Sequence, residues 1–319
     1  MNRLRSFCLM MLLAICLEAM PQGVRPLRVL SWNVENLFDC LDDAGFDDSE
    51  YLPKSVRRWT PKRFKRKLVD IARIIAAVAD DGGEADLIGL CEVENDNAVK
   101  ALVGGPLASM KYKYVMTHSA DRRGVDVALL WHPSRFRLLN HTSFRVPSVQ
   151  HGFKPTRDIL YASGIFHTDE RCDTIHVFVC HLPSRLGGGT ANEHRRLAAS
   201  VLWTAIDSVR AASAAEPRII LMGDFNASMR DPIFKSAPLR STDDKHADGT
   251  YSYRGNWEWI DHILISDAFA HDALARPIRY KWLLRHNKTY GTDLPYRTYS
   301  GTTYIGGTSD HIPILIDLK

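Results

Sequence analysis

Arg218-Ile219-Ile220-Leu221-Met222-Gly223-Asp224-Phe225-Asn226-Ala227-Ser228 is the stretch around which the chain is organised. Ile219 to Met222 form an unbroken apolar run, which predicts a strand buried on both faces. Gly223 ends the run, and Asp224 and Asn226 follow two apart. In an extended backbone that spacing puts a carboxylate and an amide on one side, at the end of a buried strand, where loops on a rigid scaffold carry chemistry. The alternative is an Asx-type turn that merely closes the strand.

Other runs end the same way. Leu27 to Val34 reads as a first strand, with Asn33, Glu35 and Asn36 at its end. A helix begins at Pro61, with Leu68, Ile71, Ile75 and Val78 on one face, and stops at Asp80-Asp81-Gly82-Gly83. The run from Asp86 delivers Glu92, a carboxylate that is costly to bury unless something pairs it. Strands are expected at 112–117, at 125–131 with Asp126 inside, and at 159–166 after Arg157. The strand at 174–180 ends in His181. A loop of three glycines and a capping-box pattern, Thr190 to Glu193, then open a second helix that leads back to the strand of Asp224. Asp261 and His262 lie in a strand at 259–265, and Asp310-His311 precede the last one, 312–318. Residues 268–306 are poorly periodic, basic and rich in Tyr and Trp, as expected of a phosphate-contacting and stacking surface or of a solvated excursion.

At 319 residues, 45% hydrophobic and 24% charged, the chain has the composition of a globular protein with a sizeable core, and no linker or repeat divides it. A net charge of +4 points only weakly to a polyanion. Residues 1–23 have a basic start, an apolar stretch from Phe7 to Leu17 and small residues after it, the layout of a secretory signal peptide. Ile15 is too bulky for a lipid-attachment site at Cys16. Of the remaining cysteines, Cys40, Cys91, Cys172 and Cys180, the spacing suits neither a dense disulfide framework nor a zinc site. Cys91 and Cys180 are expected in the core.

The oxygen-rich set Asn33, Glu92, Asp224, Asn226 and Asp310 suits a hard cation such as Mg²⁺. With His181 and His311 nearby, such a set suits attack of water on a phosphate. Gly187-Gly188-Gly189 lacks the Lys-Ser/Thr of a nucleotide-binding loop, and no Gly-x-Ser-x-Gly elbow accompanies Ser309.

Six pieces, Ser31-Trp32-Asn33-Val34-Glu35-Asn36, Leu90-Cys91-Glu92-Val93-Glu94, His181-Leu182-Pro183-Ser184, Gly223-Asp224-Phe225-Asn226, Ile260-Asp261-His262-Ile263-Leu264 and Ser309-Asp310-His311-Ile312-Pro313, together resemble the endonuclease/exonuclease/phosphatase family, in the family's order. The resemblance implies an α/β four-layer sandwich, two mostly antiparallel sheets face to face with helices outside, over 24–319. It implies Glu92 as principal metal ligand with Asn33 and Asp310, and Mg²⁺ (or Mn²⁺ or Ca²⁺) as cofactor. Asp224 and Asn226 would hold water and phosphate. His311, oriented by Asp261, resembles the general base, and His181 the histidine on the leaving-group side, with Asp126 supporting it and Arg157 contacting phosphate. The expected function is an exported, monomeric phosphodiesterase acting on nucleic acid. The alternatives are a lipid-headgroup phosphodiesterase, a phosphomonoesterase, or a binding protein that keeps the fold without turnover.

Overall fold

A computed structural model describes residues 25–168, 172–185 and 188–319. The signal-peptide expectation for 1–23 therefore lies outside the described residues. In chain order the strands are β1 (Leu27–Leu37), β2 (Leu87–Val93), β3 (Lys113–Met116), β4 (Asp126–Trp131), β5 (Phe136–Phe144), β6 (Ile159–His167), β7 (Cys172–His181), β8 (Arg218–Asp224), β9 (Arg240–Ser241), β10 (Tyr251–Tyr253), β11 (Asn256–Glu258), β12 (Asp261–Ile265), β13 (Arg276–Pro277), β14 (Leu284–Asn287), β15 (Thr292–Pro295), β16 (Tyr299–Ser300), β17 (Thr303–Tyr304) and β18 (Ile314–Leu318). The α-helices are α1 (Pro61–Asp80), α2 (Asp96–Gly104) and α3 (Gly188–Ala211).

Two six-stranded mixed sheets carry the fold: β13-β18-β1-β2-β4-β3 and β5-β6-β7-β8-β12-β9. Most neighbours are antiparallel, but β1–β2 and β7–β8 are parallel, each joined through a helix on the outer face. The period-2 alternation of the strands builds four layers. Val29, Leu87, Val127, Val177, Ile220 and Met222 share one core between the sheets. Leu30, Trp32, Ile88 and Leu90 turn outward onto Leu68, Ile71, Ile75 and Val78 of α1. Phe178, Ile219 and Leu221 turn the other way onto Leu202 and Ile206 of α3. A slip of one residue in any central strand would exchange its two cores, so burial on both faces fixes the register.

Local signals agree with this frame. Thr60 caps α1 by accepting from the Arg63 N–H, and Pro61 occupies the first turn, where its missing N–H costs nothing. α3 starts at Gly188, so the Thr190–Glu193 pattern lies in its first turn and not at its cap. Gly89 is fixed by packing between the sheets, since a Cβ there would meet Met222 Sδ at 2.5 Å. Cys91 and Cys180 are buried free thiols, as expected of core residues, and Cys40 and Cys172 are also unpaired.

Candidate active site

The central strands end at one edge of the sandwich, and a cavity of about 530 Å³ opens there, lined by Glu92, His181, Asp224, Asn226, Asp310 and His311 among others. Strand pairing explains the convergence. In the parallel β7–β8 ladder His181 lies opposite Asp224, and in the antiparallel β8–β12 ladder Asp224 lies opposite Asp261. Asp224 is thus the hub: its Oδ2 accepts from Asn33 Nδ2 at 3.0 Å and lies 3.5 Å from His181 Nε2 and 3.8 Å from His311 Nε2.

Both readings of the Asp224–Asn226 step are met at once. Asp224 Oδ1 accepts from the Asn226 N–H at 2.8 Å, which is an Asx turn, and Asn226 still lines the cavity. Gly223 makes the approach feasible, because it adopts φ +142° and a Cβ there would lie 1.9 Å from the Cys180 carbonyl oxygen.

Glu92 reaches the cavity through a β-bulge. The β2–β4 register shifts between Cys91 and Val93, and Glu92 takes a left-handed φ of +63°. Plain alternation would have placed it beside Leu90, under the helices; the bulge re-aims it to the strand end. Its Oε2 accepts from the Asn36 N–H at 2.9 Å, and Oε1 lies 3.4 Å from Arg123 Nη2 and 4.0 Å from His181 Nε2. Burial opposes its charge, but Arg123, His181, His311 and Arg157 more than offset this and hold it at a pKa of about 2.

His311 Nδ1 is hydrogen-bonded to Asp261 Oδ2 at 2.8 Å, and the same oxygen accepts from Thr250 Oγ1 at 2.6 Å. The two histidines are tuned apart. Burial disfavours the imidazolium of His311, yet Asp261, Asp224 and Asp310 raise its pKa well above the usual value. For His181, burial and then Arg157 push the pKa well below it, against the pull of Glu92. The charges around the two rings therefore pull His311 towards the imidazolium and His181 towards the neutral form. Burial and the neighbouring Asp261 raise Asp224.

A model of the endonuclease/exonuclease/phosphatase family matches residues 28–319. The chain belongs to that family. Comparison with curated protein sequences gives no match. Solved structures of similar fold include an endonuclease/exonuclease/phosphatase family protein from Bacteroides thetaiotaomicron, 17% identical over 93% of this chain and 98% of that one, with a TM-score of 0.59. A mannosyl-6-phosphatase from the same organism is 17% identical over 92% and 99%, with a TM-score of 0.59. The human nocturnin catalytic domain with bound sulfate is 17% identical over 92% and 94%, with a TM-score of 0.56. Members of the family are phosphoric ester hydrolases.

The chemistry of the donor set fits a hard cation. Glu92, Asp224 and Asp310 share one cavity, Asp261 adjoins Asp224, and the buried Asp261 Oδ1 has no partner. Asp224, Asp261 and His311 also offer ligand atoms within 4.8 Å of one another. His311 and Asp261 are hydrogen-bonded to each other, however, so their closeness is that of an orienting pair, and the cavity oxygens of Glu92 and Asp310 suit a cation better, with Asn33 bound to Asp224 and its Oδ1 already accepting from the Glu35 N–H at 2.9 Å.

Two expected residues have other partners. Asp126 does not support His181: its Oδ1 accepts from Thr117 Oγ1 at 2.5 Å and from the Ser119 N–H at 3.1 Å, while His181 Nδ1 is buried without a partner. Arg157 lines the cavity, but its three nitrogens bond Asp121 and the carbonyls of His181 and Leu182, so it braces the turn after β7 instead of waiting for phosphate. Arg123 lines the cavity too, its side chain 46% exposed beside Glu92 and its Nη2 donating to Asn36 Oδ1 at 2.7 Å; nothing periodic in the sequence marks it. Of residues 268–306, Arg297 reaches the cavity and pairs with Asp310 at 2.8 Å. Tyr280 and Trp282 instead stack on each other, and Trp282 lies under Arg73 of α1, because this segment covers the outer face of the first sheet. No sequence pattern marks Lys67 either. It is buried, donates to the carbonyls of Glu35 and Thr308 and to Thr298 Oγ1, and ties β1 to the loop that carries Asp310 and His311.

Proposed function

We propose that this chain is an exported, divalent-metal-dependent phosphodiesterase that hydrolyses nucleic-acid phosphodiester bonds. The observation that carries the reading is the single cavity in which a charged Glu92, the Asp224 hub and the Asp261–His311 pair meet, with Arg123 at its rim. Glu92 with Asn33 and Asp310 would hold the cation, which when bound supplies charge stabilisation to the phosphoryl oxygens. His311, as imidazolium, binds a non-bridging oxygen, and Arg123 faces another. Asp224, its pKa raised towards neutrality, accepts a proton as the oxygen of a water attacks phosphorus. The bond from phosphorus to the leaving oxygen breaks, and that oxygen takes a proton from solvent. His181, held neutral, hydrogen-bonds beside Asp224, and Asn226 orients water and phosphate. The basic and apolar layout of residues 1–23 supports export.

The test is hydrolysis of single- and double-stranded DNA and RNA, sphingomyelin and mannose 6-phosphate with added Mg²⁺, with and without excess chelator. Oligonucleotide cleavage is expected, lost on chelation and reduced at least about 100-fold in Glu92→Gln with the fold intact. Turnover in excess chelator refutes the metal assignment. Hydrolysis of the lipid or the sugar phosphate alone replaces nucleic acid as substrate. Intact residues 1–23 on the protein recovered from its native host would refute cleavage-dependent export.

A further inference from the structure

A second groove of about 750 Å³ adjoins the catalytic cavity, and the two share Arg123, Arg157 and Ser184 as lining residues. Arg122, Phe153, Lys154 and His194 line its outer part. The Phe153 and His194 rings are stacked, with centroids 4.7 Å apart and planes 11° from parallel. His194 is held in that pose by a 2.8 Å hydrogen bond between its Nε2 and Ser148 Oγ. Arg122 reaches Asp47 only at 3.4 Å, with both side chains mostly exposed, a pairing that water screens and a phosphate would displace. Both rings are partly exposed, so the groove presents a pre-ordered aromatic platform with cations beside it, continuous with the cavity on the Arg157 side.

We infer that this groove is a nucleotide subsite: the base next to the scissile phosphate stacks on Phe153, and the following phosphate lies against Arg122 and Lys154. Stacking on an aromatic face accepts any base, and Arg and Lys track the backbone without reading sequence, so the subsite selects nucleic acid as a class. The proposal deepens the phosphodiesterase reading and rests on it for the neighbouring scissile phosphate. It also moves the nucleic-acid surface away from residues 268–306, whose Tyr280 and Trp282 pack on α1.

The experiment measures binding in excess chelator, where turnover is not required. The full chain is titrated into a fluorescein-labelled thymidine octamer and into the same octamer with abasic tetrahydrofuran residues, and anisotropy is read. Wild type should prefer the thymidine octamer by about tenfold, Phe153→Ala should bind both oligomers alike, and Phe153→Tyr should keep the preference. Lys154→Ala should weaken both and flatten the salt dependence. Equal wild-type affinity for the two oligomers, or an undiminished preference in a folded Phe153→Ala, overturns the subsite. Base-dependent binding without cleavage of either oligomer when Mg²⁺ is restored would uphold the subsite and refute the nuclease reading alone.

Discussion

Asp261→Asn is the substitution that most directly tests how this site is tuned. Asp261 Oδ2 holds His311 Nδ1 at 2.8 Å with both side chains under a tenth exposed, and Thr250 Oγ1 supports the same oxygen at 2.6 Å. An amide keeps the shape and the Thr250 contact but loses the charge. A buried charge-assisted hydrogen bond is worth about 1.5–3 kcal/mol, which corresponds to about 1–2 pH units in the pKa of His311. The sign follows from the geometry. The carboxylate stabilises the imidazolium, so removing it lowers the His311 pKa. The same carboxylate helps to raise Asp224, so Asp224 should also titrate lower. If His311 works protonated and Asp224 works ionised, both limbs of the kcat/KM–pH profile should move to lower pH, the alkaline limb by about 1–2 units. The rate at the optimum should fall about 10²- to 10⁴-fold, as expected when an orienting carboxylate is lost. The assay is the pH profile of hydrolysis of one phosphodiester at saturating cation, with thermal unfolding as control. An alkaline limb that stays in place in a folded, slowed variant refutes the imidazolium role and returns His311 to general base.

Gly223→Ala should destabilise by about 3 kcal/mol or more, because φ is +142° and the new Cβ would strike the Cys180 carbonyl at 1.9 Å; urea unfolding checks this, and a change under 0.5 kcal/mol would refute it. Lys67→Met should cost about 3–5 kcal/mol, since it takes the buried ammonium away from the Glu35 carbonyl and carboxylate and leaves the Thr308 carbonyl only the 3.3 Å bond from Thr298 Oγ1; equilibrium unfolding at neutral pH reads the loss. Burial, with Asp39, Asp43 and Asp48 nearby, pushes Glu94 up to about 8, so its folded-state pKa lies above the unfolded one. Its contribution is present below pH 4.5 and lost as pH rises through about 8. Glu94→Gln should therefore flatten the fall in Tm between pH 5 and 9, and an unchanged slope would count against it.

The alternation of apolar residues determined the layers. Ile219 to Met222, Leu27 to Val34 and Leu87 to Cys91 each send apolar side chains to opposite faces, so each strand needs a layer on both sides; that the layers are a second sheet within and helices outside was implied by the family resemblance. The site was legible for a related reason: Asp224, His181 and Asp310-His311 are polar residues at the ends of runs too apolar to tolerate them elsewhere. Three things were decided only in three dimensions. Glu92 enters the cavity because a bulge interrupts the β2–β4 ladder, and a bulge leaves no mark in a period-2 pattern. Arg123, Lys67 and Thr250 act through partners 31, 231 and 11 residues away, distances that no local pattern encodes. The protonation preferences of the two histidines are set by which charges fold around them. Asp261 and Asp224 face His311, while Arg157 stands behind His181, and sequence order does not show which charges surround which ring.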